Sequence, residues 1–366
     1  MRVQLKKRDL KNKITLLERV VGRNLSLPIL SFIVLEAKDA KLILKATNLD
    51  VGVEMSIPVK IEKQGSVAVP GKLIGGYLNS VGDDDLVTLD VVGNNLSVST
   101  KKYSAIIKTN TTDDFPLIPK TTSKEKHTIP SYVFVEGLKS VVFAASTSDI
   151  KPEIASVCVY PQKNSIIFVA TDSFRLAEKT IKTNKEYSFT PILIPLKNTT
   201  EIIKFFEGVD GDIVLFFEKN QLMLVSNDIY FVTRLTDGTY PNYKQIIPLK
   251  FKTNTTVQKN EISEALKISN VFLDDFNRIT IRILVDDSIM EIESKKQDYG
   301  ENTSRIEAHT NGDVVEMGFN HRYFSEGLQT IPEEKISLKF NEHHKPMVIS
   351  GATDPTFIYL VMPVTR

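Results

Sequence analysis

The sequence contains a single cysteine, Cys158 in "IASVCVYP". One thiol excludes a disulfide framework and a multi-thiolate metal site. No apolar run approaches the roughly 20 residues that span a bilayer. The opening "MRVQLKKRDLKNKITLLERV" mixes charges where a secretory leader would carry an apolar core. These absences predict a soluble, cytoplasmic protein with no membrane partner. The Asn-x-Thr triplets at Asn110, Asn198 and Asn254 then lack a route to glycosylation.

An excess of one charge is also missing, since 46 Lys and Arg against 45 Asp and Glu leave a net charge of +1. Net charge is a sum over the surface and says nothing of its distribution. The first helix candidate, "LKKRDLKNKITLLERVVGR", sets Lys6, Lys7, Arg8, Lys11, Lys13, Arg19 and Arg23 against only Asp9 and Glu18. One strongly basic segment sits inside a neutral chain.

Catalytic constellations are missing as well. Of the five histidines (His127, His309, His321, His343 and His344), only the adjacent pair in "NEHHKP" is close in sequence, and neighbours on a strand face opposite ways. "VPGKLIGG" lacks the flanking glycine and Ser/Thr of a phosphate-binding loop. The acidic "GDDDL" and "LDDF" read as solvated loops. With no spacing that suggests a nucleophile and its base, the residues predict a binding protein without catalysis, metal or cofactor.

What the chain does contain is a long repeat. At 366 residues it exceeds one hydrophobic core. "VAVPGKLIGGYLNSV" around Pro70 is answered by "LIPLKNTTEIIKFF" around Pro195, and "DDFPLIP" at Pro116 by "DGTYPNYKQIIP" at Pro241, each about 125 residues on. A further step reaches "MGFNHRYFSEGLQTI", where Leu78, Ile203 and Leu328 coincide, as do Val81, Phe206 and Ile331. Apolar positions three apart define one helix face.

The reading is therefore three like domains, 1–122, 127–249 and 251–366, each built of two halves. A half comprises a short strand, an amphipathic helix and further alternating strands, which makes an α+β protein with antiparallel sheets. Polar linkers are expected at "KTTSKEKH", Lys120 to His127, and "PLKFKTNTT", Pro248 to Thr256.

The motifs "LSLPILSFIVLEA", "ATDSFRLAE", "LTDGTYPNYKQIIP", "MGFNHRY" and "YLVMPVTR" together resemble the bacterial DNA polymerase III beta subunit family, the replicative sliding clamps, in order and over essentially the whole chain. The resemblance implies three tandem DNA-clamp domains. Two chains would form a head-to-tail homodimer ring around double-stranded DNA, helices lining the hole and sheets outside. It also implies a non-catalytic processivity factor acting in DNA replication near the nucleoid. Its partners would be the DNA polymerase III alpha subunit, the clamp loader and other replication and repair proteins that carry a clamp-binding peptide motif.

Residue by residue, the resemblance implies sequence-independent phosphate contacts from Arg23, Lys72, Lys197 and Arg322; the last three recur at the repeat spacing. It offers Ile268, Val271 and Phe272 of "LKISNVFLDDF" as dimer contacts, against an edge strand near "KKYSAIIK". A peptide groove would take Thr171, Ser173, Phe174, Arg175 and Leu176 from one phrase, with Pro241, Ile246, Phe276, Asn320, Tyr323 and Pro346. The tail Leu360, Val361, Met362, Pro363 and Val364 completes it, with Arg175 and Asn320 fixing the direction of the peptide. Core packing is the competing reading for every apolar residue of the set.

"ATNLDVGVE", Ala46 to Glu54, is a first-domain relative of "ATDSFRLAE" and is expected to end a strand and do little more. Ser173, Phe174, Gln245 and Ala155 depart from the family's frequent glycine, histidine, basic and larger apolar residues, so the groove should persist with an altered shape. A tandem-repeat scaffold without topological DNA binding is the alternative. It accounts for the repeat and leaves the basic helix and the tail unexplained.

Overall fold

The computed structural model describes residues 1–22, 27–82 and 86–364. Among them are six α-helices: α1 (Lys7–Val20), α2 (Gly71–Ser80), α3 (Ser131–Val141), α4 (Leu196–Phe206), α5 (Lys259–Ser269) and α6 (His321–Thr330). Each starts at the residue after a strand, as α2 does after Gly65–Pro70 and α6 after Val315–Asn320. In α1 the buried Leu10, Ile14, Leu17 and Val20 form one stripe, each contributing about 1.5–3 kcal/mol by leaving water. That helix stops at Val21, whose backbone leaves the helical region while its N–H still reaches Leu17 O.

The expected half-repeats are present, and the sheets join them by a rule. One sheet of eight strands runs His127–Pro130, Asp212–Glu218, Gln221–Val225, Ile229–Arg234, Val51–Pro58, Lys41–Thr47, Phe32–Lys38, Gly65–Pro70. Here the second half of the middle repeat meets the first half of repeat one, through antiparallel pairs from Ile229↔Met55 to Thr233↔Val51. The same join recurs between Arg175–Lys182 and Phe357–Val361, from Arg175↔Val361 to Lys179↔Phe357. It sits inside a twelve-stranded sheet that runs on through repeat three. A third sheet, of five strands, ends at Ser104–Lys108, which has one strand neighbour.

The chain accordingly gathers into two compact units, 1–135 with 200–235, and 136–199 with 236–366. In the first, α1 packs against α2; in the second, α5 packs against α6. Both linker expectations need trimming. His127 opens a strand, and so does Thr253, at the start of Thr253–Gln258. Thr253, Thr255 and Val257 point inward while Asn254 is exposed, so a threonine run that looked polar is a half-buried strand.

Close helix-to-sheet approach in the second unit depends on Gly327 of α6. A Cβ there would lie 2.2 Å from the ring of the fully buried Tyr359. Gly327→Ala is expected to cost about 1–3 kcal/mol through overpacking, read as a lower midpoint in urea unfolding with an unchanged slope.

Candidate functional site

Lys72, Lys197 and Arg322 are each the second residue of α2, α4 and α6, and all three are exposed. A cation in a first turn opposes the helix dipole, at roughly 0.3–1 kcal/mol each. Three recurrences of an unfavourable placement argue that these charges serve something other than helix stability. Lys197 Nζ lies 3.8 Å from Asp149, but both side chains are more than four-fifths in water (86% and 84%), so the pair holds little. Arg322 donates from Nε to Glu326 Oε1 at 2.7 Å.

The basic first helix is less basic than its sequence. Lys7 is buried, with its ammonium on the carbonyls of Val81 and Gly82 just past the end of α2. Lys13 pairs with Asp228, and Arg19 donates to both oxygens of Glu201 at 2.8 and 3.0 Å. Burial of aliphatic stems and partners distant in sequence removed these charges from the face. Arg23 and Asp83–Asp85 of the acidic loop lie outside the described residues.

The repeated phrase builds the same turn twice. Thr47 Oγ1 donates to Val51 O and Thr171 Oγ1 to Arg175 O; Asn48 Oδ1 accepts from the N–H groups of Asp50 and Val51, and Asp172 Oδ1 from those of Phe174 and Arg175. Leu49 and Ser173 take the matching left-handed position, φ +78° and +80°. The frequent glycine is explained by that φ, which a serine adopts under strain. The first copy ends its strand in the complete turn.

Around the second copy, hydrogen bonds and packing join several of these residues. Met362 N–H donates to Phe174 O at 2.8 Å and Val364 N–H to Gly318 O at 2.9 Å, which ties the tail to both sides. Asn320 caps α6 by accepting from Tyr323 N–H at 3.2 Å and reaches Phe276 O from Nδ2 at 3.4 Å. Tyr243, next to Pro241 and Ile246, shares a buried cluster with Leu176, Leu360 and Cys158.

The set divides into wall and foundation. Phe174, Pro241, Ile246, Phe276 and Met362 are exposed, with Asn320, Tyr323, Pro363 and Val364 half-buried. Leu176, Pro346, Leu360 and Val361 are buried, and Thr171 is nearly so, its hydroxyl spent on the turn. Leu176, Leu360 and Val361 belong to strands buried within the sheet, and Pro346 packs just before one.

Arg175 is also a correction. At 6% exposure its Nε holds Asp172 Oδ2 at 2.9 Å, Nη1 holds Glu326, Nη2 donates to Phe143 O at 2.6 Å, and its guanidinium lies 4.4 Å from the Tyr323 ring centre. It braces the turn that carries Phe174. Burial works against its charge, but the hydrogen bond to Glu326 and the nearby carboxylates hold its pKa above the ordinary arginine value. Burial likewise would raise Glu326, yet hydrogen bonds from Arg175 and Arg322 keep its carboxyl below the usual range.

Among the interface candidates, Ile268 and Val271 are 50% and 71% exposed and so do not fill a core, while Phe272 is half-buried. α5 and the turn Asn270–Phe272 lie against the strand Gly300–Asn311. On the edge strand of the five-stranded sheet Ile106 is 74% exposed, and Tyr103 beside it 52%. No group of three or more metal-ligating side chains occurs among the described residues.

Three family models cover the chain in succession: the N-terminal domain of the DNA polymerase III beta subunit over residues 1–119, its central domain over 128–242 and its C-terminal domain over 244–365. The chain belongs to the DNA polymerase III beta subunit family. Similar proteins include the beta sliding clamp of Synechococcus elongatus, 28% identical over 377 residues and covering 100% of this chain and 99% of that one. The beta sliding clamp of Staphylococcus aureus is 24% identical over 356 residues, 94% of each. Among solved structures, the beta subunit from Thermotoga maritima superposes with a TM-score of 0.93 at 26% identity, covering 100% of this chain and 99% of that one. A Pseudomonas aeruginosa sliding clamp bound to griselimycin gives 0.94 at 20% identity over all of both chains. The beta subunits are non-catalytic parts of a polymerase, and this chain shares their three-domain α+β fold throughout.

Asp172, Glu326 and Tyr243 were not among the residues the sequence pointed to. Asp172 carried a signal, since it stands where Asn48 makes the first turn. So did Glu326, four residues after Arg322 on one helix face. Tyr243, whose hydroxyl meets Tyr160 at 2.7 Å and Glu178, carried none.

Arg175→Met should destabilise the protein by about 3 kcal/mol by leaving the largely buried Asp172 carboxylate without its cation and Glu326 with Arg322 alone, whereas Phe174→Ala should stay within roughly 0.5 kcal/mol; denaturant titration compares the two. Burial pushes the Cys158 thiol up to about 12. The native state therefore keeps its proton when the unfolded thiol loses its own near pH 9. Stability should be unaffected by this group below that pH and decline between about pH 9 and 12. Iodoacetamide labelling at pH 8 should follow the rate of opening.

Proposed function

We propose that this chain is a sliding clamp: as a head-to-tail homodimer it closes a ring around double-stranded DNA without regard to sequence and tethers the DNA polymerase III alpha subunit for processive replication. Three domains, 1–122, 127–249 and 251–366, would make up each half of the ring. The observation that carries the reading is the joining rule of the sheets. Twice, the last strand of a second half-repeat pairs antiparallel with the third strand of the preceding first half, Ile229–Arg234 with Val51–Pro58 and Phe357–Val361 with Arg175–Lys182. By that rule Ser104–Lys108 of one copy should pair with Gly300–Asn311 of another. Residues 300–307 of that strand pair on one side only, and Ile268, Val271 and Phe272 flank it. A heterologous contact that closes after two copies suits a ring.

Lys72, Lys197 and Arg322 supply weak, sequence-blind phosphate contacts, which suffice when retention is topological. The groove walls Phe174, Pro241, Ile246, Phe276 and Met362, with Tyr323, Asn320, Pro363 and Val364, take extended apolar-aromatic peptides from the polymerase, the clamp loader and repair partners. On this reading the protein works in the cytoplasm, at the replicating nucleoid.

The test is retention on DNA. With a clamp loader and ATP, the protein should load on nicked circles, stay on intact circles and be lost rapidly once they are cut. Equal retention on cut and intact circles would defeat the topological mechanism. Lys72→Glu, Lys197→Glu and Arg322→Glu together should impair loading or processivity at unchanged native mass. Met362→Ala with Pro363→Ala should abolish peptide capture and leave the dimer intact.

A further inference from the structure

Four alternating charges connect the first turn of α6 to the turn that carries Phe174. Arg322 bonds Glu326 Oε1 at 2.7 Å, and the other oxygen of the same carboxylate takes Arg175. Arg175 Nε holds Asp172 Oδ2 at 2.9 Å, and Asp172 Oδ1 holds the N–H groups of Phe174 and Arg175 at 2.9 and 3.0 Å. Side-chain exposure falls from 69% at Arg322 through 27% at Glu326 to 6% at Arg175 and 14% at Asp172. The outermost charge is within reach of a solvent anion, and the inner three are largely removed from salt screening.

We propose that Arg322 and Glu326 are positioning residues for the peptide groove, acting through Arg175 and Asp172, so that a DNA phosphate drawing on Arg322 weakens the groove's hold on its peptide. This rests on the reading of α6 as DNA-facing and of the Phe174 wall as a peptide site. A carboxylate shared by two guanidiniums attracts each less than it would attract one alone. When a phosphate takes Arg322, the whole charge of Glu326 falls on Arg175, whose guanidinium follows it and releases Asp172. The left-handed Ser173, at φ +80°, is held by the Asp172 bonds together with Thr171 Oγ1, which accepts from its N–H at 3.2 Å, so loosening Asp172 removes part of what keeps the turn in place. Phe174 leaves its position as that turn relaxes. Arg322 bonds a half-buried carboxylate that is itself bonded onward, whereas the Asp149 near Lys197 is 84% exposed. By linkage, a bound peptide must weaken the phosphate contact at Arg322 by the same factor.

The test uses the full chain and a fluorescein-labelled decapeptide with an extended Leu and Phe motif, read by anisotropy. Without DNA, Arg322→Gln should weaken peptide binding about three- to tenfold. Arg322→Lys, which can still pair with Glu326, should stay within about twofold of the parent. In a Glu326→Gln background, Arg322→Gln should add nothing, because the connection is already cut. Thermal melting of each variant separates this from unfolding. Loaded circular duplex should lower the parent's peptide affinity and leave that of Glu326→Gln unchanged. Unaltered affinity in Arg322→Gln, additive effects in the double variant, or an equal DNA effect in Glu326→Gln would each overturn the proposal. If the parent binds no peptide, the groove reading falls and the proposal with it, an outcome distinct from a parent that binds and an Arg322→Gln that binds equally well.

Discussion

The structure depends on one joint, an antiparallel strand pair between the second half of one repeat and the first half of the repeat before it. At its second occurrence the joint aligns Arg175 with Val361 and Leu176 with Leu360. That register alone puts the tail beside the 172–174 turn, because Met362 is the next residue after the paired strand and its N–H falls on Phe174 O. A slip of one residue would turn Leu176 and Leu360 from the shared core to the opposite face. The meeting of turn and tail is thus a by-product of how half-repeats join, dressed with particular side chains.

The first joint has the same turn without the same dressing. Arg234 N–H donates to Asp50 O as Met362 N–H does to Phe174 O, so backbone for backbone the two places agree. Where the second carries Phe174 and Met362, the first carries Asp50 and Arg234. An apolar wall requires apolar side chains that water cannot satisfy elsewhere, and two charged residues do not make one. The repeat supplies geometry; substitution on it supplies chemistry.

That distinction marks what was legible in the sequence. The domain plan was readable because Leu78, Ile203 and Leu328, spaced by the repeat, report one buried helix face. Helix starts and most strands followed from the same pattern. The site was readable in outline only. Leu176, Leu360 and Val361 look as suitable for a groove as Phe174 and Met362, and strand register, which no local pattern encodes, decides which side each shows to water. Arg175 is the sharper case: a charged residue in a binding phrase suggests contact with a ligand, and only the distant Glu326 and Phe143 O reveal a brace. Lys7, Lys13 and Arg19 were hidden in the same way by Val81, Asp228 and Glu201.

The joint is also short. Five residue pairs make each strand contact, from Arg175↔Val361 to Lys179↔Phe357 in one and from Ile229↔Met55 to Thr233↔Val51 in the other. A pull at right angles to such strands loads its hydrogen bonds one after another, each worth about 0.5–1.5 kcal/mol net, so mechanical resistance comes from the packing behind the ladder more than from the ladder itself. An assembly built by repeating this joint can be parted wherever that packing is thinnest, by prying at one end of a strand, with the rest of the fold untouched.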